Sequence, residues 1–190
     1  MKYNIGLAMT GSFCTIPRAL TVVRRLVDAG HVVYPILSTN VATMDTRFTR
    51  AAELKHTLAS ITGHDPICSI QDAEPIGPQK LLDVLVVCPT TGNTLSKLAH
   101  AITDTPVTMA VKSHLRNNRP VILAVSTNDG LSGSAQNIGT LLNRRNVYIV
   151  PFRQDDALNK PSSTVSDFDL VESTIESAMD GKQPTPMILG

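Results

Sequence analysis

Five short runs rich in valine, isoleucine and leucine punctuate the chain, at Tyr3–Met9, Val32–Leu37, Val84–Cys88, Val121–Val125 and Val147–Val150, with helical segments between them. That alternation is how βαβ units look in sequence. Several runs are continuously apolar rather than alternating, so helices should cover both faces of the sheet, as in parallel sheets. A weaker run near Ile67–Ile70 offers a further strand.

The intervening segments support this reading. Pro17–Ala29 carries Leu20, Val23, Leu26 and Val27 on one stripe, with Pro17 suited to a first helical turn and Gly30 to the stop. Helices are also expected over Thr46–Ile61, Thr94–Thr103, Pro106–Asn117 and Ser134–Arg145, with Thr105 capping the helix that starts at Pro106. Phe168–Met179 makes a last helix, while polar Gln154–Ser163, with Pro161, reads as a mobile surface loop or flap. The expected architecture over residues 1–190 is one domain: a three-layer, Rossmann-like α/β fold built on a doubly wound parallel sheet.

Charge narrows the function. With 17% charged residues and a net charge of +1, the chain lacks the basic surplus that nucleic-acid backbones require. The apolar run after Met1-Lys2-Tyr3-Asn4 is too short to span a membrane and has no small-residue cleavage site after it, so a cytoplasmic protein is expected. Cys14, Cys68 and Cys88 are odd in number and widely spaced, which fits reduced thiols rather than a disulfide framework or a zinc site.

In open parallel sheets ligands bind beyond the carboxyl ends of the strands. Four such ends share one character: Thr10-Gly11-Ser12, Ser38-Thr39-Asn40, Thr90-Thr91-Gly92-Asn93-Thr94 and Ser126-Thr127-Asn128-Asp129. Neutral hydroxyls, amides and free N–H groups beside helix N-termini make an anion site without needing a lysine. The same residue types also build ordinary turns and caps, so the coincidence of four clusters carries the inference rather than any one of them. Neither G-x-G-x-x-G after a strand nor G-x-x-x-x-G-K-[ST] is present, which leaves a phosphomonoester with a planar polar ring, flavin mononucleotide (FMN) being the common one.

The stretch Pro89-Thr90-Thr91-Gly92-Asn93-Thr94-Leu95-Ser96-Lys97-Leu98-Ala99 resembles the P-A-T-A-N-T-x-A-K-x-A segment of the flavoprotein family that includes phosphopantothenoylcysteine and lantibiotic cysteine decarboxylases. Gly11-Ser12, Ser38 and Arg119-Pro120-Val121 leading to Ser126-Thr127-Asn128 follow in the family's order. Within it, Thr46-Arg47-Phe48, Ala73-Glu74-Pro75-Ile76-Gly77-Pro78, Arg116-Asn117-Asn118-Arg119-Pro120, Ser126-Thr127-Asn128-Asp129 and Pro151-Phe152-Arg153-Gln154-Asp155-Asp156 resemble the branch formed by the B subunits of dipicolinate synthases. The resemblance implies an FMN-type subunit that works with a separate A subunit carrying NAD(P), the pair oxidising dihydrodipicolinate to dipicolinate in the mother cell of a sporulating bacterium. It also implies a homo-oligomer built from trimers.

On this resemblance the cofactor would be held by Thr10, Gly11, Ser12, Ser38, Thr90, Thr91, Asn93, Thr94, Ser126 and Asn128. Asn128 is the polar candidate facing ring or substrate, and Arg47 the candidate for pairing with a dicarboxylate substrate, although it could equally lie on the solvated face of the following helix. Lys97 reads as a surface residue or subunit contact, and none of His31, His56, His64, His100 and His114 has metal-ligand spacing. The decarboxylases carry a histidine just ahead of the Val84 run and a cysteine in a late flap; Gln71–Asp83 has no histidine and no cysteine follows Cys88. Two alternatives therefore stay open: a noncatalytic scaffold partner of the A subunit, and an FMN-dependent cysteine decarboxylase with a rearranged base such as His64 or His100.

Overall fold

The computed structural model describes residues 1–190. Each of the five apolar runs becomes a strand: β1 Asn4–Met9, β2 Val32–Leu37, β3 Val84–Thr90, β4 Val121–Thr127 and β5 Val147–Ile149. They pair in parallel in the order β2-β1-β3-β4-β5. Both faces are covered. One carries α1 (Ile16–Asp28), α3 (Ala51–Thr62) and α8 (Val171–Met179), and the other α5 (Gly92–Ala99), α6 (Pro106–Leu115) and α7 (Ala135–Leu142). Side chains such as Leu7, Ile122 and Leu85 are wholly buried between the layers, each contributing about 1.5–3 kcal/mol of transfer free energy.

The sheet is mixed rather than wholly parallel. Gln154–Ser163, expected as a loop, lies within an antiparallel hairpin of β6 (Phe152–Asp156) and β7 (Lys160–Ser166). β5 pairs only with Val121–Leu123, so the carboxyl end of that edge of β4 would be left with bare N–H and C=O groups. β7 fills the gap, pairing with Ser126 and Thr127. The junction is sealed by Ser166, whose buried hydroxyl accepts from the Val125 N–H at 2.9 Å and donates to the Val150 carbonyl at 3.0 Å.

The free edges of β5 and β6 are covered by the C-terminal tail. The Gln183 carboxamide accepts from the Ile149 N–H at 2.9 Å and donates to its carbonyl at 2.7 Å. Phe152 donates its N–H to Met187 and accepts from Leu189, both at 2.9 Å.

Two expectations shift, one helix and one strand. Thr46–Arg50 is not helical: the Thr46 hydroxyl accepts from the N–H groups of Phe48 and Thr49, and the Asp45 carboxylate from that of Ala51. These local bonds compete with helix formation and delay α3 to Ala51. The Ile67–Ile70 run gives one bridge, Ile36 to Ile67, after which Ser69 caps the short α4 (Ile70–Ala73).

Candidate functional site

In the strand order 2-1-3-4-5, crossovers leave β1 in opposite directions, opening a crevice between the carboxyl ends of β1 and β3. The sequence places its polar loops there. Thr10, buried at the end of β1, donates its hydroxyl to the Pro89 carbonyl at 2.8 Å and accepts from the Thr91 N–H at 3.0 Å. The Ser12 and Ser126 hydroxyls meet at 2.9 Å. The ends of β1, β3 and β4 are thereby tied together by neutral hydrogen bonds.

Two hollows open on this rim and share Gly11 and Thr91 as a common wall. The smaller, about 250 Å³, is lined by no apolar residue; Thr10, Ser38, Asn93, Thr94 and Lys97 face it. Helix α5 begins here, with the Thr91 hydroxyl accepting from the Thr94 N–H at 3.3 Å. A helix leaves its first N–H groups without intrahelical partners, and with the helix dipole these favour an anion. Lys97 projects from the same helix and holds Asp104 at 2.8 Å, which keeps that carboxyl below the usual carboxylate range. Ser38 caps α2 (Thr39–Thr43), accepting from the Val41 N–H at 3.5 Å.

The larger hollow, about 500 Å³, lies between the loops after β1 and β4, the 46–50 loop and the hairpin. Ser12, Ser126, Asn128 and Arg47 line it, together with Phe13, Cys14, Arg18, Phe48, Lys160 and Thr164. Its cations are Arg18, Arg47 and Lys160; the single lining carboxylate, Asp155, is held by Lys160 at 2.9 Å and by the Ser163 hydroxyl at 3.3 Å. Asp155 raises the Lys160 ammonium above its ordinary pKa. Thr164 is 1% exposed, and its hydroxyl has no protein partner. That hydroxyl packs against Gly130, where any side chain would collide with it, and its unmade hydrogen bond costs about 1–3 kcal/mol.

Beneath both hollows, Asp129 accepts from the Thr127 hydroxyl at 2.5 Å and the Ser134 hydroxyl at 2.9 Å. Gly92 packs against this cluster: a Cβ there would lie 2.6–2.7 Å from Ser134 Oγ, Asp129 Oδ1 and Thr127 Oγ1. The first residue of α5 must therefore be small.

The rim brings together most of the residues expected from sequence, with one exception. Thr90 lines neither hollow; it is fully buried and donates its hydroxyl to the Val87 carbonyl at 2.7 Å. Arg47 lies in the nonhelical 46–50 loop with its guanidinium 4.7 Å from the Phe48 ring centroid, rather than on a helix face. Lys97, expected as a surface or subunit residue, lines the smaller hollow. Sequence reasoning missed Arg18, Lys160 and Thr164: Arg18 reads as a surface position of α1, and the hairpin residues as loop. No histidine lines either hollow; His64 stacks on Tyr34 at 4.4 Å and His100 bonds the Ser96 carbonyl.

Known proteins share this architecture. A family model described as Flavoprotein matches residues 1–178. The B subunit of dipicolinate synthase from Bacillus subtilis (strain 168) is 43% identical over 186 residues, covering 98% of this chain and 93% of that protein. The crystal structure of the corresponding dipicolinate synthase chain from Bacillus halodurans C superposes with a TM-score of 0.91 at 39% identity, covering 99% of this chain and 96% of that one. A dodecameric FMN-dependent UbiX-like decarboxylase from Escherichia coli O157:H7 has a TM-score of 0.61 at 18% identity, covering 78% and 79%, and shares the fold.

Proposed function

The chain belongs to the flavoprotein family, and from that premise we propose that it binds FMN across the two hollows and acts as the B subunit of a dipicolinate synthase. In this reading it works with an A subunit that carries NAD(P), and the pair oxidises dihydrodipicolinate to dipicolinate in the cytoplasm of a sporulating mother cell. The observation that carries it is the meeting of both hollows at Gly11 and Thr91, on the switch point of a 2-1-3-4-5 sheet. The residues present fit the cofactor: a hollow of neutral hydroxyls and amides with one lysine, at a helix N-terminus, suits a phosphate, and the adjoining cleft lined by Ser12, Ser126 and Asn128 offers polar groups to a ring or substrate.

Ser38, Asn93, Thr94 and Lys97 would hold the phosphate, with Thr10, Ser12 and Ser126 fixing the loops by their mutual hydrogen bonds. Thr91 and Asn128 would flank the ring. When bound, FMN supplies two-electron redox chemistry. The chain's own residues bind and orient: Arg18 and Arg47 pair with substrate carboxylates, and a guanidinium presents two parallel N–H groups to each. The cleft keeps a cation excess of two charges after Asp155 neutralises Lys160, which favours a dianion. Homo-oligomers built from trimers are part of the proposal, and the dodecameric neighbour shows that the fold supports such assembly in that protein.

The test is to purify the chain, record its visible spectrum and titrate it with FMN, then measure dihydrodipicolinate oxidation by the A subunit with and without it. A flavin spectrum, micromolar or tighter binding, and turnover that needs both chains are expected. Absence of FMN binding would remove the flavin reading; equal turnover by the A subunit alone would leave a scaffold.

A further inference from the structure

On the face of the sheet that carries α5, α6 and α7, a groove of about 510 Å³ opens at the end away from the flavin hollows. Its floor holds Leu98, Ile102, Val111 and Leu115, and its rim holds Lys112, Arg116, Arg144 and Arg145. No lining residue is acidic, and none of the four cations is in an ion pair. Helix dipoles account for only part of this. The C-termini of α5, α6 and α7 end here and carry about −0.5 charge each, so four full positive charges leave a surplus of roughly +2.5.

The complement lies on the same chain. Glu172, Glu176 and Asp180 follow an i, i+4, i+8 spacing along one stripe of α8, and none of them is in an ion pair. Glu172 lies in the first turn, where the dipole favours it, but like charges four residues apart repel, and Asp180 sits at the C-cap, where the dipole disfavours an anion. Met179, 37% exposed, adds an apolar group to the ridge. In a chain whose net charge is +1, acid and base are thus sorted into two patches without ion pairs, each with an apolar element, although Arg144 already donates to the Leu98 carbonyl at 2.8 Å.

We infer that the acidic ridge of α8 from one copy of the chain docks into the basic groove of the next. α8 packs on one face of the sheet and the groove lies among the helices of the other, so the two patches of a single molecule do not meet. Two different surfaces in contact make a heterologous interface, which closes into a ring when the rotation between copies divides the circle. Carboxylates of Glu176 and Asp180 meet the rim cations, and Met179 meets the apolar floor. The inference rests on the self-assembly part of the proposed function and not on its flavin part.

Sedimentation velocity on the full chain tests it. Two charge-reversed variants are needed, Lys112→Glu with Arg145→Glu in the groove and Glu172→Lys with Glu176→Lys on the ridge; none of these side chains makes a hydrogen bond or lines the flavin hollows. Wild type is expected to sediment as an oligomer that loosens in 0.5 M salt. Each variant should associate at least about 100-fold more weakly, since like-charge contacts replace opposite ones. All four changes in one chain should restore association because every contact is again complementary, while the two variants mixed should pair with each other but leave one mismatched contact in any ring of three.

FMN titration and a far-UV spectrum on each variant show that it is folded. A monomeric wild type would overturn both this inference and the self-assembly reading. An oligomer indifferent to both variants would overturn the interface alone, as would a groove variant that keeps its size but loses the A subunit.

Discussion

Replacing Gly92 with alanine sets two effects of opposite sign against each other. Gly92 opens α5 and its φ is not positive, so alanine is allowed by the backbone, and Gly→Ala at a compatible position stabilises by about 0.4–1 kcal/mol. Against this, the new Cβ would lie 2.6–2.7 Å from three polar atoms. These atoms cannot simply swing away, because Thr127 and Ser134 both donate to Asp129 at 2.5 and 2.9 Å. Overpacking costs about 1–3 kcal/mol, and a weakened hydrogen bond to a carboxylate adds about 1.5 kcal/mol or more.

The clash therefore wins, with a net loss of about 1.5–4 kcal/mol and a fall in Tm of about 3–16 °C for a chain of this size. The same displacement moves the Thr91–Thr94 turn, so FMN affinity should fall by about tenfold, which is 1.4 kcal/mol. Urea unfolding followed by circular dichroism measures the first quantity and flavin fluorescence titration the second. Gly139→Ala is the internal control: it sits within α7, a Cβ there meets nothing within 4 Å, and it should gain about 0.5–1 kcal/mol. If Gly92→Ala were as stable as wild type while Gly139→Ala behaved as described, the packing argument beneath the hollows would be wrong.

Burial lowers the pKa of His114 from 6.5 to about 4, while its Nε2 reaches the Pro120 carbonyl at 3.1 Å and its Nδ1 is unpartnered. The unfolded chain then takes up a proton near pH 6.5 and the folded one does not. The stabilisation is full above pH 6.5 and is lost as pH falls toward 4, so this group makes the fold about 2 kcal/mol weaker at pH 5 than at pH 7. His114→Gln should flatten the stability curve in that window by a similar amount; parallel curves for the two proteins in urea titrations would contradict the assignment. Among the thiols, Cys14 is exposed on the wall of the larger hollow, whereas burial raises the pKa of Cys68 and, more strongly, of Cys88. Iodoacetamide should label Cys14 first, and saturating FMN should slow that labelling severalfold; peptide mass spectrometry showing Cys68 ahead, or no protection, would count against the location of the cofactor.

The parallel half of the sheet was legible because runs such as Val84–Val87 and Val121–Val125 are apolar on both faces, a pattern that only a covered strand tolerates. Thr105-Pro106 likewise marks its helix, and the structure gives it a reciprocal capping box with Thr108. The hairpin was not legible. Its residues are polar, and its pairing depends on β5 stopping at Ile149, a tertiary circumstance that leaves no local pattern.

At the rim, the four loops could be found by position alone, but the direction of a given side chain could not. Thr90 and Thr91 are chemically equivalent in sequence; the strand continues through Thr90 and turns its hydroxyl inward, while Thr91 caps a helix. Arg18 and Lys160 reach the cleft from elements far apart in the chain, and their convergence depends on β7 lying at the end of β4.

Phe152, where the hairpin leaves the sheet, sits opposite Ser166 in the hairpin register and bonds the C-terminal tail through both its backbone N–H and its carbonyl. A ribbon clamped at its base cannot swing like a door. Any movement of this wall of the larger hollow is then left to the free tip between Asp156 and Lys160, and the tail that grips Phe152 helps to confine it there.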